Sequence, residues 1–344
     1  MRIALVGCGG VGRAFLKLMG EKGATSREKD LNIQVNYIID VDGGIYSPEG
    51  VDCRKLHEFL ERGGRVADYP AGGSYDINLE RGLSQGDMDV MVELTPTNKD
   101  TGEPGLTHIR KALDRGTHVV TGNKGPILLA YRELNELAAR RGVQLGIGCT
   151  TGGALPSINA GLIDMAGAEI ESIEGILNGS TNFILKEMEE RGVEYGEALK
   201  RAQELGIAET DPRLDVEGWD TASKLLILTN VLMAGDKTLE DIGVEGITGL
   251  TPEDIAAARE EGSRYKLIGR SQVIEGKVVM SVEAEKVGVE HTLYGVEGKN
   301  KAVRYTSSTL GDLTVIGGAS GTIPAAASIY RDIVNIARGY RFSQ

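Results

Sequence analysis

Four apolar residues in a row, Ile3-Ala4-Leu5-Val6, precede a stretch in which Val11, Phe15 and Leu18 recur at helical spacing. The change of period predicts a short buried strand leading into an amphipathic helix over Val11–Met19. The alternation continues to about residue 150. Strands are expected at Val35–Ile39, Val90–Val92, Thr117–Val120 and Val143–Ile147, and helices at Cys53–Arg62, Pro104–Arg115 and Ile127–Arg141. Pro104 suits a first helical turn, where its missing N–H costs nothing. Repeated strand-helix units imply a parallel sheet covered on both faces.

The pattern changes after Cys149. Helices are expected at Ala154–Met165, Phe183–Glu190, Tyr195–Leu205 and Trp219–Met233, with another beginning at Thr251-Pro252-Glu253-Asp254. Ile170–Leu177 is extended. Tyr265–Ile274 and Lys277–Val287 alternate and are joined by Glu275-Gly276, a hairpin signal. A strand at Leu313–Ile316 and a helix at Pro324–Arg338 close the chain. The fold class expected is α/β: a doubly wound parallel-sheet domain over 1–150, then an α+β domain over 151–308. That second domain has an open sheet with helices on one face, leaving the other face to be covered. Residues 309–344 are expected to return to the first domain.

Composition narrows the classes. The 344 residues carry a formal net charge of −12, which disfavours a nucleic-acid partner. Three cysteines without a CxxC pair argue against a disulfide framework or a structural zinc, and for a reducing cytoplasm. The apolar run so close to Met1 leaves no room for a signal peptide. The uncharged stretches Gly142–Ile163 and Leu313–Tyr330 are too interrupted by Gly, Pro, Ser and Thr to span a membrane. Glycine is in excess, 48 of 344, about twice the usual share of ~7%, while proline is scarce at 9. Tight turns or backbone surfaces that approach a ligand are the expected use.

Gly7-Cys8-Gly9-Gly10-Val11-Gly12 fits G-x-G-x-x-G between a strand and a helix, which makes 1–150 a Rossmann dinucleotide-binding domain by expectation. Gly7 permits the turn, Gly9 the approach of a pyrophosphate, and Gly12 close packing of helix on strand. Asp40, ending the second strand, can bind the adenosine ribose 2′-hydroxyl or be a solvated turn acid. No arginine follows it directly, which leans toward NAD, although Arg54 and Lys55 could reach a 2′-phosphate. The segment from Glu209 to Lys224 sets five acids, an arginine and a lysine against the uncharged run 225–235. Asp220 and Lys224, at i and i+4, share a helical face. Such a pair could exchange a proton with an alcohol or carbonyl oxygen, or be a surface ion pair.

At this segment the chain resembles homoserine dehydrogenases. Gly206, Glu209, Asp211, Pro212, Asp215, Gly218, Asp220 and Lys224 match the family's signature G-x-x-E-x-D-P-x-x-D-(x)2-G-x-D-x-x-x-K. Asn123-Lys124, the stretch Glu174–Leu185 and the loop Gly317–Pro324 agree in the same order, so the resemblance spans nearly the whole chain. It implies interconversion of L-homoserine and L-aspartate 4-semialdehyde with NAD or NADP, on the route from aspartate to threonine and methionine. Lys224 is then the proton donor and acceptor, oriented by Asp220, and Lys124 lies between nicotinamide and substrate. Glu209 and Asp215 bind the substrate's polar end beside Asn178, Gly179 and Ser180. Thr95 and Gly321 touch the cofactor, and a homodimer forms on the second domain's uncovered face. A lysine titrating near ~10.4 suits proton donation at neutral pH, so alcohol oxidation is expected to quicken as pH rises.

Two departures matter. Gly148-Cys149-Thr150-Thr151-Gly152-Gly153-Ala154-Leu155-Pro156 replaces the family's usual Glu-Ala-x-Val before its Gly-Gly-x-Pro turn. The family binds a monovalent cation such as Na there through main-chain carbonyls, at positions matching Gly148, Thr151, Gly153 and Leu155. Ser320 and Thr322 stand where glycine or alanine is common. The chain ends soon after the last helix, so neither an ACT domain nor feedback inhibition through one is expected. Two rival functions stay open. Cys149-Thr150-Thr151 is similar to the nucleophile segment of phosphorylating aldehyde dehydrogenases, though none of His57, His108, His118 and His291 lies in the 140 residues after it. A non-enzymatic NAD-sensing module is the other.

Overall fold

The computed structural model describes residues 1–22 and 29–342. Two compact units share the chain: one holds 1–154 and 321–344, the other 155–320. The crossing thus falls a few residues beyond 150. The return begins at 321 rather than 309, because residues 311–317 form a strand of the second unit's sheet.

The first unit is built on a sheet of seven strands: β1 (Arg2–Val6), β2 (Gln34–Asp40), β3 (Gly43–Tyr46), β4 (Gly73–Ser74), β5 (Val90–Glu93), β6 (His118–Thr121) and β7 (Leu145–Gly146). Their order is β4-β3-β2-β1-β5-β6-β7, with β2-β1-β5-β6-β7 parallel and β3 and β4 added antiparallel at one edge. Ile3, Leu5, Ile38, Val90, Met91, Val92, Val119 and Val120 are wholly buried, as expected for strands covered on both faces. The helices are α1 (Gly10–Lys22), α2 (Cys53–Glu61), α3 (Leu79–Gln85), α4 (Gly105–Asp114), α5 (Lys124–Arg141) and, after the excursion, α12 (Thr322–Ala337). Helix α1 packs on α2 and α12, and α4 on α5. This is a doubly wound dinucleotide-binding fold. Chain order reverses between β1 and β5, so the switch point lies beside the first glycine loop.

The second unit runs α6 (Ser157–Asn159), β8 (Ile170–Ile176), α7 (Gly179–Arg191), α8 (Tyr195–Glu204), α9 (Arg213–Val216), α10 (Trp219–Leu232), β9 (Ile242–Val244), α11 (Pro252–Glu260), β10 (Ser263–Ile274), β11 (Lys277–Gly288), β12 (Lys301–Ser307) and β13 (Gly311–Gly317). Strand order is β13-β12-β8-β10-β11-β9. Helix α10 covers one face: Thr229 Oγ1 donates to Ser271 Oγ at 3.0 Å, and a Cβ on Gly269 would stand 3.1 Å from Thr221 Cγ2. The opposite face is not wholly open. One end carries Leu293 and Val296 of the loop after β11, packed on Ile176, Ile268, Val287 and Ala302.

The helix expected over Ala154–Met165 is instead a single turn, α6, passing into a π-helical turn at Ala160–Asp164. Gly161 lies here, where a Cβ would come within 2.4 Å of Leu232. Irregular backbone brings this turn close to α10, which an ordinary apolar helix pattern does not foretell.

Candidate active site

In the first unit the glycine loop is shaped by contact as well as by conformation. Gly7 has φ +96°, and a Cβ there would lie 2.7 Å from the Leu94 backbone after β5. A Cβ on Gly12 would lie 2.2 Å from the Gly7 carbonyl, so only hydrogen lets α1 close onto the turn. Nothing approaches Gly9, whose backbone faces open space. Helix α1 begins at Gly10, and a Cβ on Gly10 would meet Thr322 Cγ2 at 3.2 Å. The start of α12 therefore flanks the start of α1, with Gly321 at its N-cap and φ +115°. Val11 is half-buried. Cys8 is buried; its thiol is pushed well above its usual range by burial and then by the neighbouring Asp40 charge. Asp40 sits half-buried at the end of β2 and accepts from Val41 N at 3.0 Å.

Beside the loop, β5 and β6 end on a buried polar knot. Glu93 is fully buried and accepts from Thr95 N at 3.0 Å, from the Thr95 hydroxyl, and from Thr121 Oγ1 at 3.2 Å. Asn123 receives a bond on its Oδ1 from Gly125 N at 3.1 Å, capping α5, and donates to the Thr95 carbonyl at 3.2 Å. Lys124 is the first residue of that helix and half-buried. Thr95 and Lys124 are thus placed by one buried carboxylate and one amide. The sequence reading missed Glu93; its signal was an acid ending an otherwise apolar strand, Val90-Met91-Val92.

The second unit assembles the signature around Asn178. Its Oδ1 caps α7, accepting from Ser180 N at 2.9 Å and Thr181 N at 3.0 Å. Its amide nitrogen donates to Asp215 Oδ1 at 2.8 Å and Asp220 Oδ2 at 2.9 Å. Lys224 Nζ donates to Asp220 Oδ2 at 2.5 Å and to the Leu177 carbonyl at 2.8 Å. The Lys224 and Asp220 side chains are each only 14% exposed, which sets the pair apart from an ordinary surface ion pair. The Asp215 carboxyl is held above the usual range, first by burial and then by the Asp220 charge, against the opposing Asn178 bond. A Cβ on Gly179 would stand 2.7 Å from the Lys299 carbonyl, and Ser180 Oγ donates to the Ile207 carbonyl at 2.8 Å. Glu209 is exposed, and its charge reaches Asp215. Asp211 turns outward to Arg213, at 2.6 Å.

The cation position is different. Arg331 of α12 donates to the Ala154 carbonyl at 3.3 Å and the Gly148 carbonyl at 3.5 Å. The Leu155 carbonyl accepts from Ser157 N at 2.8 Å. Two of the four carbonyls expected as ligands are therefore engaged, one by a positive charge. Cys149 Sγ donates to the Ala325 carbonyl at 3.7 Å. His118 Nδ1 accepts from Gln144 N at 2.9 Å, and His291 Nε2 stands 3.2 Å from Glu174 in the other unit. A thiol nucleophile with a histidine base finds no support in these contacts. Among the described residues no group of three or more His, Cys, Asp and Glu could hold a metal, and no helix is long and apolar enough to cross a membrane.

Comparison with known proteins matches this geometry to one family. The sequence model for homoserine dehydrogenase fits residues 156–334. A homoserine dehydrogenase of Methanocaldococcus jannaschii is 39% identical over 336 residues, 98% of either chain. An NAD(+)-dependent homoserine dehydrogenase of Pseudomonas canavaninivorans is 36% identical, covering 97% of this chain and 96% of its own. The structure of a hyperthermophilic archaeal homoserine dehydrogenase mutant in complex with NADPH aligns with a TM-score of 0.83 at 26% identity, covering 100% of this chain and 99% of that one. With these full-length matches, and with Lys224 and its carboxylates assembled as described, the chain belongs to the homoserine dehydrogenase family of oxidoreductases.

Proposed function

We propose that the protein interconverts L-homoserine and L-aspartate 4-semialdehyde with NAD or NADP, NAD being favoured, as a step between aspartate and threonine or methionine. The observation that carries the reading is the anchored lysine: Lys224 Nζ held by Asp220 Oδ2 and the Leu177 carbonyl within a largely buried carboxylate cluster. The nicotinamide supplies the hydride acceptor in oxidation and the hydride donor in reduction. The first unit fits such a cofactor: a glycine turn closed to side chains at Gly7 and Gly12, open at Gly9, and backed by a helix N-terminus suited to phosphates. Residues 7–12 and Gly321 are assigned to the phosphates, Asp40 to the ribose hydroxyls, and Thr95 and Lys124 to the nicotinamide end.

In the second unit Lys224 passes a proton to or from the reacting oxygen, and Asp220 orients the ammonium group. Asp215 and Glu209 hold the substrate's ammonium, with Asn178, Gly179 and Ser180 shaping the wall around it. A second copy of the chain is assigned to the uncovered part of the second unit's sheet. Its rows Ser172–Glu174, Gln272–Arg270 and Thr306–Arg304 pair in register, and Ile274, Val279 and Ile316 remain about half exposed. Cytoplasmic residence belongs to the same reading, supported by three cysteines outside any disulfide.

The test is a steady-state assay with homoserine and each nicotinamide cofactor, in both directions. Lys224→Ala is expected to cut turnover by about 10^2–10^4-fold while NADH affinity, read from nicotinamide fluorescence, stays within about twofold. Normal turnover in that variant would remove Lys224 from the chemistry. Intact NADH binding without any semialdehyde-dependent oxidation by the wild type would favour a nucleotide sensor.

A further inference from the structure

The loop after β7 and the helix α12 meet through two adjacent charged residues. Asp332 is 1% exposed and its Oδ2 accepts from Gly148 N at 2.7 Å. A Cβ on Gly146 would stand 3.1 Å from Asp332 Cβ, so the helix lies directly on the end of β7. Arg331 turns to the same loop. Its guanidinium reaches the Gly148 and Ala154 carbonyls at 3.5 and 3.3 Å, is steadied by Ser328 Oγ at 2.6 Å, and has its Nε 3.6 Å from Asp332 Oδ1. A cation held by main-chain carbonyls gathers partial negative charge from a tight loop; a guanidinium does the same with a fixed fork of donors.

We propose that Arg331 takes the place of the monovalent cation in this chain, organising the 148–154 loop by an internal charge and making it independent of Na+ and K+. Electrostatics favours one occupant over two. A hard cation sits roughly 2.3–2.6 Å from a ligating oxygen. At the Gly148 oxygen it would stand within about 6 Å of the guanidinium nitrogen, a repulsion worth about a hundredfold in affinity near a surface. Asp332 already faces a positive charge, with its Oδ1 3.6 Å from Arg331 Nε.

The decisive measurement is thermal melting of the wild type, with bound NADH and without, in NaCl, KCl and choline chloride at equal ionic strength. It is accompanied by 23Na linewidths on the same samples. Melting temperatures that coincide across the three salts, with an unbroadened 23Na line, are expected. A saturable rise specific to Na+ or K+, or 23Na broadening by the wild type, would overturn the proposal. Arg331→Gln removes the charge but keeps an amide donor. It is expected to melt several degrees lower in choline and to recover part of that loss in NaCl or KCl. A variant that melts like the wild type, or whose deficit ignores the cation, would also count against the replacement. Should the variant fail to fold, the wild-type salt series and linewidths still decide.

Discussion

Asn178 joins the backbone to the chemistry, since one amide caps α7 and bridges Asp215 and Asp220. Asn178→Ala removes both functions. Loss of the cap is expected to lower stability by about 1 kcal/mol. The larger effect falls on Asp215, whose carboxyl already sits high because burial and the Asp220 charge outweigh the Asn178 bond. Without that bond it rises further, so the acid limb of kcat/KM for homoserine moves to higher pH. A pH profile of the variant measures this, and an unmoved acid limb would show that Asp215 need not ionise. The signature placed Asp215, Asp220 and Lys224 on the sequence because their spacing is local to one helix and its approach. The partners of Glu93 and Arg331 were not legible, since only the tertiary fold supplies them: Thr121 lies 28 residues from Glu93, and Gly148 183 from Arg331.

At the scale of elements, the strands and helices with clean periods formed where the pattern put them. The hairpin at Glu275-Gly276 is one case: Ile274 pairs with Lys277, and the two turn residues have φ +49° and +76°. Such a turn needs both residues left-handed, which glycine and asparagine adopt readily and glutamate does not. Glu275→Asn is therefore expected to stabilise the protein by up to about 1 kcal/mol, raising the melting temperature by roughly 1–2 °C with kcat unchanged. A lower melting temperature would mean that Glu275 has favourable contacts outweighing the strain. The pattern failed where burial broke it. Strand β12 sits between β8 and β13 with five of its seven residues buried, Lys301 among them, so its alternation is masked. Strands β3 and β4 are short, and β4 has only Gly73 and Ser74 to announce it.

Across the whole molecule, stability should depend on one buried ammonium group. Lys266 is 4% exposed on β10 and donates to the Asn182 side chain at 3.1 Å and the Val296 carbonyl at 2.6 Å, tying α7, the sheet and the loop after β11 together. Burial first, and then the Arg264 charge, pull it down to about 8; Lys186 adds to the lowering, while Glu189 and Glu297 oppose it. Unfolded, the same lysine titrates near ~10.4. Below about pH 8 both states hold the proton and the folded state bears the burial cost. Between that value and ~10.4 the unfolded chain binds more protons, so the contribution of Lys266 to stability rises with pH and then levels off. The net charge of −12 works against this trend, because added negative charge strengthens self-repulsion at alkaline pH. Comparison with Lys266→Met separates the two effects: both proteins share the repulsion, but only the wild type carries the titrating lysine. Denaturant midpoints from pH 7 to 10 should rise for the wild type relative to the variant, beginning near pH 8. A difference that stays constant across that range would show that Lys266 keeps its proton in the folded state, held there by its two acceptor oxygens.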